Sequence, residues 1–266
     1  MRPAVRVRTA LIVVVAAAGW SLSLGGCGRD HRASQPPRNA IDRGQNADLP
    51  SAGDCYNPFF PAIPDETMEY ESTFKNNLPP YSYSVTFTDL SDGSFTQHQE
   101  VTGGTAPASY GPALDRTWKC LSEGLACVDY PYLSRPESRL EFETLDSAGV
   151  TIPRPDRWQK GAKWTYRYSV RGKMSLGGVP SPVDVEGTIS VAAEIGAQER
   201  VDSPAGVYEA VKVQSTYNQA LTMKSKAPMP MNITFTVQAW YARDVGLIKS
   251  ASEDLRVTTV LKSVTK

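Results

Sequence analysis

The sequence predicts an all-β protein: two duplicated, strongly curved antiparallel sheets, half-barrel or sandwich-like, that follow a signal peptide and a disordered tether. Apolar and polar residues alternate with period two over many segments, most regularly over residues 232–241 and 164–170. This alternation is typical of antiparallel strands with one covered face. No segment of ten or more residues has the apolar spacing of an amphipathic helix.

Residues 1–26 have the organisation of an export signal. Arginines stand at the beginning, and residues 11–18 form an apolar run that is too short to cross a bilayer comfortably. The motif Leu-Gly-Gly-Cys at residues 24–27 resembles the lipobox of bacterial lipoproteins. The resemblance implies cleavage before Cys27 and attachment of palmitate-type acyl chains through its thiol. An ordinary secretory signal and a single-span anchor are the alternatives.

Residues 27–54 are rich in Arg, Asp, Ser, Pro, Gln and Asn and contain few large apolar side chains. Such a segment cannot bury enough apolar surface to offset the entropy cost of ordering. It is therefore predicted to be a flexible tether that holds the folded part clear of the membrane surface. The expected location is the extracytoplasmic face of a cell membrane, with the inner and outer membranes both left open.

The charge composition bears on the expected partners. The chain has 28 basic and 28 acidic residues, and removal of the arginine-containing leader makes the remainder slightly acidic. Neither a nucleic-acid partner nor a polybasic membrane patch is expected from such a composition. Contact with the membrane is expected through the N-terminal lipid.

A repeated hairpin suggests an internal duplication. Residues 118–125 align without gaps on residues 240–247, and each segment begins with Trp and ends with Gly-Leu. We therefore expect two β repeats, at residues 55–147 and 148–266. A chance match between two hairpins is the alternative.

Another hairpin is predicted at the sequence Ser-Pro-Ala-Gly, residues 203–206. Proline suits the second position of a type I turn, and the glycine can adopt the left-handed position that follows it. The strands over residues 197–202 and 207–217 are expected to pair across this turn.

These two hairpins of the second repeat carry a family resemblance. The sequence Pro-Ala-Gly-Val-Tyr-Glu-Ala-Val-Lys-Val begins at Pro204, and Trp-Tyr-Ala followed by Val-Gly-Leu-Ile-Lys begins at Trp240. They resemble uncharacterised bacterial envelope lipoproteins, which are distantly similar to the half-barrel of periplasmic lipoprotein carriers. The resemblance implies an incomplete antiparallel sheet structure with an apolar concave side. It rests on turn motifs and implies no chemistry.

Three cysteines follow the anchor, and an exported protein lies where disulfides persist. Cys120 and Cys127 face each other if Glu123 and Gly124 form a two-residue turn. A longer loop would change the register and favour a bond between Cys55 and Cys120 instead. Both pairings stay open at this stage. No metal site is expected, because there is no Cys-x-x-Cys motif and the chain has two histidines.

No catalytic residues are expected. His98 lies in a strand-like segment with polar neighbours, His31 lies in the predicted tether, and no Gly-x-Ser-x-Gly motif is present. Two pairs of glutamates, at residues 69 and 71 and at residues 141 and 143, occupy polar strand positions. No glycine-rich loop joins a strand to a helix, so no nucleotide cofactor is expected.

The leading hypothesis is a membrane-anchored, non-enzymatic lipoprotein that binds an apolar ligand or another envelope component. Its ligand-binding residues are unknown at this stage, but four aromatic residues are candidates for lining an apolar pocket, with core packing as the alternative: Trp118, Trp158, Trp164 and Tyr168. One alternative function is an envelope interaction or scaffold module that uses the loops 174–182 and 224–230. A second is a hydrolase that needs no histidine.

Overall fold

The computed structural model describes residues 55–75, 78–91, 93–106, 113–131, 139–175, 182–224 and 228–266. These residues belong to one compact unit, Pro37–Lys266. The predicted signal peptide, Cys27 and the rest of the predicted tether lie outside the described residues. Within the described part, no helix is long and apolar enough to cross a membrane.

The described part of the chain is built from β-strands, together with a short 3₁₀ helix, Pro155–Arg157. Its strands, in chain order, are β1 (Thr67–Phe74), β2 (Tyr81–Thr88), β3 (Ser94–Gly104), β4 (Ala113–Leu121), β5 (Gly124–Cys127), β6 (Arg139–Ala148), β7 (Ile152–Pro153), β8 (Lys163–Ser175), β9 (Val183–Ser203), β10 (Gly206–Lys224), β11 (Met229–Ala242), β12 (Gly246–Ser252) and β13 (Val257–Thr265). The all-β class predicted from the period-two pattern is confirmed.

All of these strands form one 13-stranded sheet in the order β6-β8-β9-β10-β11-β12-β13-β1-β2-β3-β4-β5-β7, and every pair is antiparallel. The expected division into two sheets is therefore replaced by one continuous sheet. The physical reason is that β1, the first strand of the predicted first repeat, hydrogen-bonds along its whole length to β13, the last strand of the second. The duplication itself stays a prediction.

The predicted hairpin at residues 203–206 is confirmed, although its strands are longer than expected. Ser203 pairs with Gly206 across the turn, and β9 and β10 then remain paired to Asp184 and Lys224. Gly206 has φ of 142°, a backbone conformation that side chains with a Cβ rarely adopt. The turn residues therefore fix the register of the two longest strands of the sheet.

Interruptions in strand register give the sheet its curvature. Among the described residues, register shifts occur in five strand pairs, including β9–β10 near Val211 and β11–β12 near Trp240. A β-bulge bends its strand and increases the local twist. The bends bring the two ends of the strand order together: the side chain of Trp164 on β8 donates to the carbonyl oxygen of Thr151, beside β7, at 3.2 Å.

The apolar interior of the sheet divides into two main groups. One group, the first core cluster, includes Tyr70, Phe87, Phe95, Trp118, Ile248 and Leu261. The other, the second core cluster, includes Phe142, Tyr168, Ile189, Tyr217, Leu221 and Phe235. Residues of both clusters border a cavity inside the rolled sheet.

Candidate functional site

The cavity has a volume of about 270 Å³. Strands from both ends of the sheet order contribute to its wall, including β5 and β7 at one end and β8 at the other. Small-molecule pockets usually measure about 300–1,000 Å³, and an apolar cavity of about 150 Å³ is enough to hold benzene. The cavity is thus large enough for one small ligand or one short apolar chain.

The four aromatic residues singled out from the sequence all line this cavity: Trp118, Trp158, Trp164 and Tyr168. They come from β4, from the end of the 3₁₀ helix and from β8. On β4 and β8 they occupy the positions that the two-residue period places on the covered face. Aliphatic residues such as Met68, Val85 and Val213 complete an apolar wall.

Residues 55–61, here called the N-terminal segment, close one part of the cavity. Phe60 and Pro61 line it, and the ring of Phe60 lies 4.4 Å from that of Trp118. The side-chain amide of Asn57 donates to the carbonyl oxygen of Pro153 at 2.9 Å. These contacts place the start of the folded part against the cavity wall.

The N-terminal segment is bonded covalently to the sheet. Cys55 forms a disulfide with Cys120 on β4, which is one of the two pairings that the sequence left open. The turn between β4 and β5 consists of Ser122 and Glu123, so the residue opposite Cys120 is Leu125. The pairing of Cys120 with Cys127 is therefore not formed, because this register places Cys127 opposite Trp118.

Cys127 is free and buried, and it lines the cavity. Its Sγ lies 3.1 Å from the carbonyl oxygen of Asp129, to which it donates. Burial raises the pKa of the Cys127 thiol to about 12, while the charge of Arg116 acts in the opposite direction. The thiol is therefore protonated at neutral pH and is a poor nucleophile.

A second closing segment, residues 127–131, crosses from β5 towards the other end of the sheet. The amide of Tyr130 donates to Thr144 Oγ1 on β6 at 2.8 Å, and its hydroxyl accepts from the side-chain amide of Gln219 on β10 at 2.8 Å. Tyr130 is 1% exposed and Gln219 is 2% exposed. The polar groups of this bridge are thus satisfied inside the protein.

Tyrosines are frequent among the described lining residues of the cavity. The hydroxyls of Tyr166 and Tyr217 lie 3.4 Å apart, and both residues line the cavity. Burial raises the pKa of both tyrosines above the ordinary value. Both are therefore neutral at physiological pH and can act as hydrogen-bond donors or acceptors.

The charged residue among the described lining residues is Arg116 on β4, and none of those lining residues is acidic. Arg116 pairs in register with Gln97, between the exposed residues Asp115 and Thr117. One of its guanidinium nitrogens, Nη1, donates to Gln99 Oε1 at 3.3 Å. Its Nε is buried and has no hydrogen-bond partner among the residues that the structure describes.

Sequence reasoning missed Arg116, although a signal was present. Arg116 and Trp118 occupy alternate positions of one strand, so they share a face, and Trp118 was expected to be covered. A charged residue on the same strand face as a covered tryptophan breaks the alternation of apolar and polar residues. This break in the pattern identifies Arg116 as the charged group of the cavity.

The described residues considered for catalysis, His98, Glu69, Glu71 and Glu143, are not among the lining residues of the cavity. His98 Nδ1 contacts the carboxylate of Asp115 at 2.5 Å, and the side chain of His98 is 37% exposed. Glu143 forms an ion pair with Arg171, which lowers the pKa of the glutamate, and Lys262 donates to Glu71 at 3.2 Å.

Two further outcomes concern the remaining predicted sites. Glu69 accepts a hydrogen bond from Thr102, and the side chain of Glu141 lies outside the described part of the chain. Residues 176–181 and 225–227, which belong to the two loops considered for a scaffold role, also lie outside it. Among the residues that the structure describes, no three His, Cys, Asp or Glu side chains are grouped so that they could hold a metal ion.

Comparisons with known proteins extend this description. The model of a family described as DUF3108-like matches residues 190–263, which comprise most of β9 and the strands β10–β13. The match covers less than a third of the chain and includes both hairpins on which the lipoprotein resemblance was based. The comparison with curated proteins finds no match.

Two solved structures are similar in fold. One, from Bacteroides fragilis, was assigned as an exported protein with a YmcC-like fold; it has 16% sequence identity and a TM-score of 0.46, over 78% of this chain and 99% of that chain. The other, from Parabacteroides distasonis, was assigned as a lipoprotein; it has 15% identity and a TM-score of 0.41, over 79% of this chain and 99% of that chain.

Proposed function

We propose that this chain is an exported, lipid-anchored, non-enzymatic protein that binds an apolar ligand inside its rolled sheet. The observation that carries the proposal is the cavity of about 270 Å³, whose wall is formed mainly by aromatic and aliphatic side chains. Apolar cavities with a few polar groups are the usual form of small-molecule sites. The four aromatic residues that the sequence suggested for such a pocket all contribute to it.

A non-enzymatic role is favoured by the chemistry of the wall. Its described residues include no histidine and no carboxylate, and the thiol of Cys127 is held protonated by burial. General acid–base and nucleophilic catalysis both require an ionisable group with a pKa near the working pH. The wall is therefore better suited to holding a ligand than to reacting with it.

The anchor is proposed from the sequence motif at residues 24–27. Metabolic labelling of a bacterial host with an alkynyl palmitate analogue tests it directly. The full chain is expected to carry the label and to remain with the membrane, and Cys27→Ser is expected to remove the label. Equal labelling of both forms would contradict an anchor at Cys27.

Ligand binding can be tested on membranes from bacteria that produce the full chain. A short-chain alkyl alcohol that carries a diazirine and an alkyne serves as a neutral, apolar photoprobe. After irradiation, mass spectrometry is expected to find the probe on peptides that contain cavity-lining residues. Labelling confined to the membrane lipid and to surface peptides would refute the proposal.

A matched pair of variants makes this test specific. Ala239 lines the cavity, so Ala239→Phe places a ring inside it and is expected to reduce labelling of the lining peptides. Ala192 is exposed on β9, so Ala192→Phe adds the same group to the protein surface and is expected to leave labelling unchanged. Equal labelling of the two variants would also count against the cavity as the binding site.

A further inference from the structure

An unpaired polar group in the cavity wall indicates the chemistry of the ligand. Among the described residues, Arg116 Nε is a buried side-chain polar atom with no hydrogen-bond partner. Arg116 lines the cavity from strand β4. Unpaired buried polar atoms are uncommon, because each one loses its hydrogen bonds to water on burial.

Arg116 adds a positive charge to this apolar space. The guanidinium group has five N–H donors, and the structure gives it the contact from Nη1 to Gln99 at 3.3 Å. None of the described lining residues is an aspartate or a glutamate. A partly buried cation without an opposite charge is unfavourable, and a bound anion would remove that cost.

The charge of Arg116 acts across the cavity. Burial raises the pKa values of Tyr81, Cys127 and Tyr217, and the positive charge of Arg116 opposes the increase in each case. These three groups come from β2, β5 and β10, so the guanidinium faces several parts of the wall. An anion placed near Arg116 would therefore meet neutral hydroxyl and thiol groups and no competing carboxylate of the described lining.

We propose, on the basis of the ligand-binding function above, that the ligand is a single-chain amphiphile whose anionic head group binds Arg116. The fork of the guanidinium matches the oxygens of a carboxylate or a phosphate, and the aromatic wall accepts the apolar chain. The volume of about 270 Å³ lies below the usual range for ligand pockets, which favours one chain over two.

The test compares two photoprobes that differ in the head group. Membranes with the full chain are irradiated with a short-chain diazirine fatty acid or with the matching alcohol, and labelling of the lining peptides is followed over a range of probe concentrations. The acid is expected to reach half-maximal labelling at a concentration about tenfold lower than the alcohol, because a charge-assisted hydrogen bond contributes at least this factor. A lysophosphatidic acid competitor separates carboxylate from phosphate preference.

Variants of the arginine assign the preference to its charge. Arg116→Gln is expected to abolish the difference between acid and alcohol while the alcohol still labels the cavity, and Arg116→Lys is expected to retain part of it. Arg167 is exposed on β8 between two lining residues, Tyr166 and Tyr168, so Arg167→Gln is the matched control and is expected to have no effect.

The outcomes separate the two proposals. Equal labelling by acid and alcohol, unaffected by Arg116→Gln, would overturn the anionic head group and leave apolar binding in place. A loss of alcohol labelling in Arg116→Gln would show that the arginine maintains the cavity structurally, which also overturns this inference. Absence of cavity labelling by either probe would refute the proposed function itself.

Discussion

Removal of the disulfide between Cys55 and Cys120 is expected to destabilise the protein by about 4 kcal/mol. The bond joins residues 65 positions apart in the chain, and closing a loop of that length removes this much conformational entropy from the unfolded state, expressed as free energy at 25 °C. The perturbation is the double substitution Cys55→Ser and Cys120→Ser. Few single features of a domain contribute as large a share of its free energy of unfolding.

The assay is urea unfolding followed by tryptophan fluorescence, with the free energy of unfolding extrapolated to zero denaturant. The N-terminal segment contacts two of the reporting residues: the ring of Phe59 stacks on Trp158 at 4.1 Å, and that of Phe60 lies 4.4 Å from Trp118. Detachment of the N-terminal segment should therefore shift the tryptophan emission spectrum of the native protein as well as the urea concentration at the midpoint of unfolding.

The control substitution is Cys127→Ser, which removes the remaining thiol and keeps a hydrogen-bond donor near the carbonyl oxygen of Asp129. It closes no loop, so its cost is expected to be below about 1.5 kcal/mol, as for one modest buried change. If the double variant loses less than about 1 kcal/mol, the segment is not part of the cooperative unit. The entropy reasoning would then be refuted for this protein.

Three further predictions concern the strand contacts and the buried ionisable groups. Gly187→Ala should lower the free energy of unfolding by at least about 1–3 kcal/mol, because its Cβ would lie 2.1 Å from a backbone oxygen of β10. Gly93→Ala is the control and should change the free energy little, because no atom lies within 4 Å of its Cβ. Equal effects of the two substitutions in urea unfolding would contradict this reasoning. Burial raises the folded-state pKa values of Tyr166 and Tyr217, so each tyrosine contributes stability that is fully present below the ordinary pKa near 10. As pH rises from there towards the folded-state values, the free energy of unfolding should fall by about 1.4 kcal/mol per pH unit for each tyrosine. A free energy of unfolding that stays constant from about pH 9 to 12 would contradict this. Cys127 should react with iodoacetamide at pH 8 about a thousandfold more slowly in the native than in the urea-unfolded protein, because burial raises its pKa from 9.0 to about 12. The two rates are measured by mass spectrometry. Similar rates would show that the thiol is accessible and ionised in the native protein.

The alternation of side chains explains why three of the four aromatic candidates for the cavity wall could be placed from the sequence. Trp118, Trp164 and Tyr168 occupy positions whose phase along a strand depends on their neighbours in sequence, so a local pattern is enough to place them on a covered face. Trp158 follows the 3₁₀ helix and was recognised by residue type alone. Such local information does not say whether a covered aromatic residue borders a cavity or fills a core, which depends on how far the sheet curls.

Long-range pairing explains what the sequence could not supply. The contact between β1 and β13 joins residues near the two ends of the folded part, and neither strand carries a signal that selects the other. The disulfide depended on a difference of one position: a turn at Ser122 and Glu123 instead of Glu123 and Gly124 places Leu125 opposite Cys120. Moving the turn by one position changes the register of the two strands by two residues, so an error in one turn changes every cross-strand pair that follows it.

The size of the sheet supplies a reason for the cavity to exist. A rolled sheet of about eight strands has an interior that side chains just fill, and additional strands widen it. This sheet has 13 strands, and its two main core clusters both border the cavity instead of meeting as one core. An interior evolved for stability alone would be expected to close with large aliphatic residues. Instead, Ala239 and Ser215 leave room on the wall, and Arg116 adds a charge for which no described lining residue carries an opposite charge. Each of these choices lowers the stability of the empty protein, and a bound anionic amphiphile would offset all of them together.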